Sequence, residues 1–186
     1  PHNQIIAHMS GDNSIHAYGF ADWLVEGEEN TARYLNALKA NPKLPKNYTK
    51  IINLDTVRAR YSPFAFGDKL YLYQFWGWKN SELTREHLWS LLAVHDGTTW
   101  AAGGPGYFKE PLSQFGWDEK VRFVPYWRKD TGLKLAAKKK HVVASGWTRG
   151  KKQLMVLVLN DNKQSAEATL RIDPKKFGFE KTVTLT

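Results

Sequence analysis

The sequence predicts an α/β segment followed by an all-β segment, on three observations. Over residues 1–130 short apolar runs alternate with stretches of helical period, the pattern of strands joined through helices. From His141 onward the period changes to strict alternation, with polar turns between the runs. The charge changes at the same place: residues 1–127 hold 13 Lys/Arg against 13 Asp/Glu, and residues 128–186 hold 14 against 5, which is the whole formal +9. Seven of the eight Trp and five of the six His also precede residue 128. Together these shifts predict a boundary between Trp127 and Gly132, with domains at 1–130 and 131–186.

The first element is Ile5 to Ala7, an apolar run closed by the Gly11-Asp12-Asn13-Ser14 turn cluster, which reads as a buried strand ending near His8 and Ser10. Phe20, Trp23 and Leu24 then fall at helical spacing, with Asp22, Glu26, Glu28 and Glu29 on the polar side. Residues 32–40 form a short amphipathic helix stopped at Asn41-Pro42. Ile51, Ile52 and Leu54 suggest a second buried strand, followed by Asp55, Arg58 and Arg60. Leu70 to Trp78 gathers two Tyr, one Phe and two Trp into nine positions, more than a small core needs.

Asn80 or Ser81 caps the clearest helix of the chain, with Leu88, Leu91, Leu92 and His95 on one stripe and Asp96-Gly97 ending it. Residues 98–109 are a glycine-rich loop without the Lys-Ser/Thr of a phosphate loop, so nucleotide binding gains no support. One helical turn at Pro111 to Phe115 and a strand at Val121 to Trp127 follow, and Pro125 assigns that strand to an edge or an end. Residues 141–148, 153–160, 165–173 and 181–186 then read as consecutive antiparallel strands of a β-sandwich-like domain.

Composition excludes several classes of function. With 186 residues, 42% of them hydrophobic, the chain can bury one sizeable core or two small ones. The lack of Cys removes disulfides and thiolate metal sites. No apolar run reaches the roughly 18 residues of a membrane span. The basic residues of the last third sit mostly at turns between strands, where lysines keep sheet edges soluble, and no nucleic-acid motif accompanies them. The chain opens on Pro1-His2-Asn3, as a processed chain or a piece of a longer one would.

Catalytic chemistry is expected where charge gathers beside an apolar run. Two carboxyl groups held close together, one protonated and one ionised, can divide the work of acid and base. Asp22, Glu26 and Glu28 are the candidates, and Asp22 with Glu26 at i and i+4 of a helix would be close enough. The competing reading is a solvated acidic helix face. A cation on His8, Asp12 and His16 is a third option, but no metal-ligand spacing supports it, and neither metal nor cofactor is expected. His8, Ser10, Trp76, Trp78, His95 and Asp96 are the candidates for holding substrate. Trp and Tyr have rings large enough to line a groove, although core packing is the commoner use of any single aromatic. A His at a helix end is likewise more often structural.

The order FVPYW, VVASGWTRG, KKQLMVLVLN, ATLRIDPKKFGF, together with IIAHMSG, the Phe20–Glu28 run and LLAVHD, resembles the carboxyl-terminal part of bacterial glycoside-hydrolase-like proteins. That resemblance implies a partial (β/α)8-type barrel segment followed by a small antiparallel β-domain. It also implies a poly- or oligosaccharide partner and a secreted, periplasmic or cell-surface location. There are too few strand-helix units to close a barrel, so the remainder of a longer polypeptide or another chain is an expected partner. The alternative is a non-catalytic carbohydrate-binding or cell-surface structural protein.

Overall fold

Parallel strands need crossovers of a dozen residues or more, and the spacing of the short apolar runs in the first half supplies them. A computed structural model describes residues 4–8, 20–26, 39–40, 53–61, 69–72, 82–99, 106–151, 153–162 and 164–179. The chain divides into two compact units, Pro1–Pro105 and Gly106–Thr186.

In the first unit, β1 (Ile6–His8), β2 (Trp23–Glu26), β3 (Lys69–Leu72) and β4 (Thr98–Thr99) form a parallel sheet in the order β1-β2-β3-β4. The register runs Ile6↔Trp23 to His8↔Val25, Trp23↔Lys69 to Glu26↔Leu72, and Tyr71↔Thr98 with Leu72↔Thr99. Leu24 and Val25 are both buried although they point to opposite sides of β2, so this strand is covered on both faces, as parallel strands usually are.

Three expectations change here. Residues 23–26 are not helical: Trp-Leu-Val is a continuous apolar run, which a doubly covered strand and a short buried helix share, and pairing with two neighbours decides for the strand. β1 is a strand but not a buried one, since it lies at the end of the sheet order and leaves Ile5 and Ile6 56% and 61% exposed. Leu54 starts α1 (Leu54–Thr56), which passes into a π-helical turn at Val57–Tyr61. Asn53 caps it, its Oδ1 accepting from the Thr56 amide at 3.0 Å and the Thr56 hydroxyl at 3.1 Å, and Leu54 and Val57 are the buried side chains.

The helix expected after Asn80 is α2 (Glu82–Ala93). Leu91, Leu92 and Val94 are buried at its carboxyl end. The Gly97 amide donates to the Leu92 carbonyl at 2.8 Å and the Asp96 amide to that of Ala93 at 3.1 Å, with Asp96 at φ 62, which is a Schellman closure with Asp in the left-handed position.

The second unit begins with α3 (Gly106–Phe115), five residues ahead of the expected single turn. Pro111 lies inside it and is exposed; it removes one amide donor, and the helix continues on either side. Two antiparallel sheets follow: β5 (Val121–Val124), β7 (Val142–Arg149) and β8 (Gln153–Asn160) in the order β5-β7-β8, and β6 (Leu133–Ala137) paired with β9 (Ala168–Ile172). Because β5 pairs with β7, strands from both sides of residue 130 share one sheet. No alternation in the sequence marks out β6, and β9 pairs with β6 in place of a hairpin with β8.

Val124 and Ala144 from one sheet and Leu133 from the other, with Phe177 of the 3-10 turn Pro174–Phe177, form the buried core; Leu154, Val156, Leu170 and Ile172 pack around it. The core is closely fitted. A Cβ on Gly146 would stand 2.8 Å from the Met155 carbonyl oxygen. Residues 32–38, the strand expected at Ile51-Ile52 and the strand expected at 181–186 lie outside the described residues. Among the described residues no helix is long and apolar enough to cross a membrane.

Candidate functional site

All four strands of the first unit run the same way, so their carboxyl ends share one edge of the sheet, where a parallel α/β sheet usually presents its chemistry. His8 is the last residue of β1 and is exposed; Glu26 is the last of β2 and lies one register step beyond it. Strand spacing and rise put their Cα atoms about 6 Å apart. Leu72 and Thr99 continue the same edge through β3 and β4.

Asp22 does not join them. It precedes β2, at the opposite edge, and its Oδ2 accepts from the Ile5 amide at 2.8 Å while its own amide donates to the Ile5 carbonyl at 2.8 Å. Trp23 extends this clamp, its amide donating to the same carbonyl at 3.2 Å and its Nε1 to Gln4 Oε1 at 3.2 Å. Four residues of strand separate Asp22 from Glu26 by about 13 Å, beyond the span of a glycosidase pair. The i, i+4 helical pairing of these two carboxylates is therefore replaced by opposite ends of one strand.

His95 and Asp96 also fall at the amino edge, just ahead of β4. His95 is 0% exposed, and its Nδ1 donates to the Leu91 carbonyl at 2.6 Å. Burial pushes its pKa down to about 4, against the opposing effect of that hydrogen bond and with help from the Arg58 charge. A neutral, enclosed imidazole at the end of α2 serves packing and helix termination; Asp96 serves the closure of the same helix. Ser10, Glu28, Trp76 and Trp78 lie outside the described residues.

No family model, curated protein or solved structure matches the chain. What the site can do follows from its own geometry.

The sequence did not reveal a second aromatic assembly, in the other unit. Phe115 meets Trp117 edge-on at 5.8 Å, Trp117 meets Trp147 at 5.8 Å, Trp147 meets Phe123 at 5.5 Å, Phe123 meets Trp127 at 5.9 Å, and Trp127 meets Tyr126 at 4.9 Å. Trp147 is buried, whereas Trp117 is 47% exposed. The available signal was parity: Trp147 shares alternation with Val143 and Ser145, opposite the Ala144 face that enters the core. Beside this ladder Arg149 donates from Nε and Nη2 to Asp118 Oδ2 at 3.1 and 2.9 Å, which holds the Asp118 carboxyl below its ordinary range.

Proposed function

We propose that the chain is part of a glycoside-hydrolase-like protein acting on a poly- or oligosaccharide, with the parallel sheet as a segment of a (β/α)8-type barrel. The observation that carries this reading is the sheet order. Doubly wound sheets reverse their strand order at a switch point, whereas barrels add each strand beside the last, and β1-β2-β3-β4 does the latter. On this reading the two antiparallel sheets are a β-sandwich-like companion domain, and the protein is secreted, periplasmic or displayed at the cell surface.

Glu26 and Glu28 supply the acid and base, His8 and Ser10 bond sugar hydroxyls, and Trp76 and Trp78 stack against rings. Glu26→Gln and Glu28→Gln are expected to lower turnover of a responsive polysaccharide by about 10²- to 10⁴-fold at an unchanged melting temperature. Asp22→Asn should do the reverse, lowering the melting temperature and sparing turnover. Full activity in both Glu variants ends the assignment.

A second reading, a non-catalytic carbohydrate-binding or cell-surface structural protein, is favoured by the exposed Trp117 in the aromatic ladder, between Phe115 and Trp147. It expects glycan binding without turnover, weakened by Trp117→Ala.

A further inference from the structure

Beyond β5, where the chain enters β6 and the 3-10 turn follows β9, the second unit holds an open cleft of about 550 Å³. Its lining includes Arg128, Lys151, Lys175 and Lys176, one carboxylate at Asp130, and the rings of Phe123 and Phe177. We infer that this cleft binds an acidic glycan, its cations taking the carboxylate or sulfate groups and the partly exposed Phe123 ring a sugar face. The choice of a glycan rests on the carbohydrate reading above; the site itself is separate from the sheet edge that carries the proposed chemistry.

Two of the lysines are held by the fold. Gly132, at φ 84, leaves room for the Lys176 stem, since a Cβ there would stand 2.7 Å from Lys176 Cβ. Gly178, at φ 73, does the same for Lys151, whose Cγ and Cδ would lie 3.0 Å from a Cβ. Laying aliphatic stems on glycine backbone reduces the freedom of the side chains and keeps both ammonium groups at the cleft. Lys176 Nζ is further fixed by donating to the Asp130 carbonyl at 2.9 Å.

Asp130 decides between ligands of different class. Its carboxylate accepts from Arg128 Nε at 3.4 Å and Nη2 at 3.2 Å and stands inside the cleft. A continuous phosphodiester would meet that negative charge, whereas a sugar offers hydroxyl donors to it and presents its acidic groups singly to the lysines. A cleft of this volume accommodates a short oligosaccharide.

The test uses the full chain, with Trp fluorescence and calorimetry to follow titration by an oligogalacturonide, a sulfated oligosaccharide, a neutral oligosaccharide and a single-stranded oligonucleotide of matched charge. Saturable binding of one acidic glycan per chain is expected, about tenfold weaker or more in Lys151→Gln/Lys175→Gln/Lys176→Gln and weakened by added salt. The carboxylate and sulfate arms identify which acidic group is taken. A control with the same charge loss elsewhere, Lys134→Gln/Lys138→Gln/Lys140→Gln, should bind as the parent does. The inference is overturned if neither acidic glycan binds, if the control loses as much affinity as the cleft variant, or if the oligonucleotide binds as tightly. Turnover of a neutral polysaccharide that depends on Glu26, beside absent acidic-glycan binding, would remove this inference alone; the converse result would remove only the catalytic assignment.

Discussion

A histidine sealed from water is tolerated only when it is neutral, and His95 is held that way at the end of α2 by burial, against the opposing pull of its hydrogen bond to the Leu91 carbonyl. The unfolded chain protonates this group at an ordinary pKa near 6.5, and the folded chain only at about 4. Between those values the unfolded state binds the extra proton, so stability falls as pH falls. The contribution is fully present above pH 6.5 and is lost progressively down to about pH 4, to a total of about 3 kcal/mol. Denaturant midpoints measured across this window should drop accordingly, and His95→Gln should flatten that part of the profile at the cost of lower stability at neutral pH. A parent profile that stays level between those pH values would refute the account. The sequence marked His95 for substrate because a His-Asp pair ends a helix; burial, which no single residue type announces, reassigns it to the core.

Pairing and burial are also what separate the elements that were legible from those that were not. Helix α2 was readable because its apolar stripe, cap and Asp-Gly ending agree with one another. Strands β7 and β8 and their antiparallel pairing are readable from alternation and the tight turn between them, but the other pairings are not, because alternation says which side chains share a face and nothing about which distant strand lies beside it. β9 pairs with β6, and β5 crosses the charge boundary to pair with β7. Trp23–Glu26 was misread because three apolar residues in a row have no period. As a strand, this segment separates Asp22 and Glu26 to the two edges of the sheet, and only Glu26 stays at the carboxyl edge. At this scale the close fit of β7 against β8 makes its own prediction. Gly146 faces a backbone oxygen, which cannot rotate away as a side chain end would, and a Cβ would meet it at 2.8 Å. Gly146→Ala should therefore cost about 1 to 3 kcal/mol in chemical denaturation. Gly150→Ala is the contrast: nothing lies within 4 Å of its Cβ position, so at φ 58 only backbone strain of about 1 kcal/mol should appear. Equal and negligible effects at both positions would contradict the packing described for these strands.

For the molecule as a whole, the parallel sheet ends in a way that calls for something beside it. β1 is the terminal strand of the sheet order, it carries no Pro, Lys or Arg to discourage pairing, and Ile5 and Ile6 stand 56% and 61% exposed. Edge strands of natural sheets are usually short, charged or covered; this one is short but apolar. Covering both side chains would contribute about 1 to 3 kcal/mol, enough to tighten an association by about tenfold to a hundredfold. We expect this edge to be covered by the remainder of a longer polypeptide or by another chain. The 186-residue chain alone should then self-associate with rising concentration in sedimentation velocity, and Ile6→Lys should shift it toward monomer without lowering its melting temperature, because the substituted side chain is already in water. A chain that stays monomeric at every concentration, with Ile6→Lys indistinguishable from the parent, would show that the edge stands free. A loss of melting temperature in Ile6→Lys would instead place Ile6 in the packing of its own unit and refute the open edge.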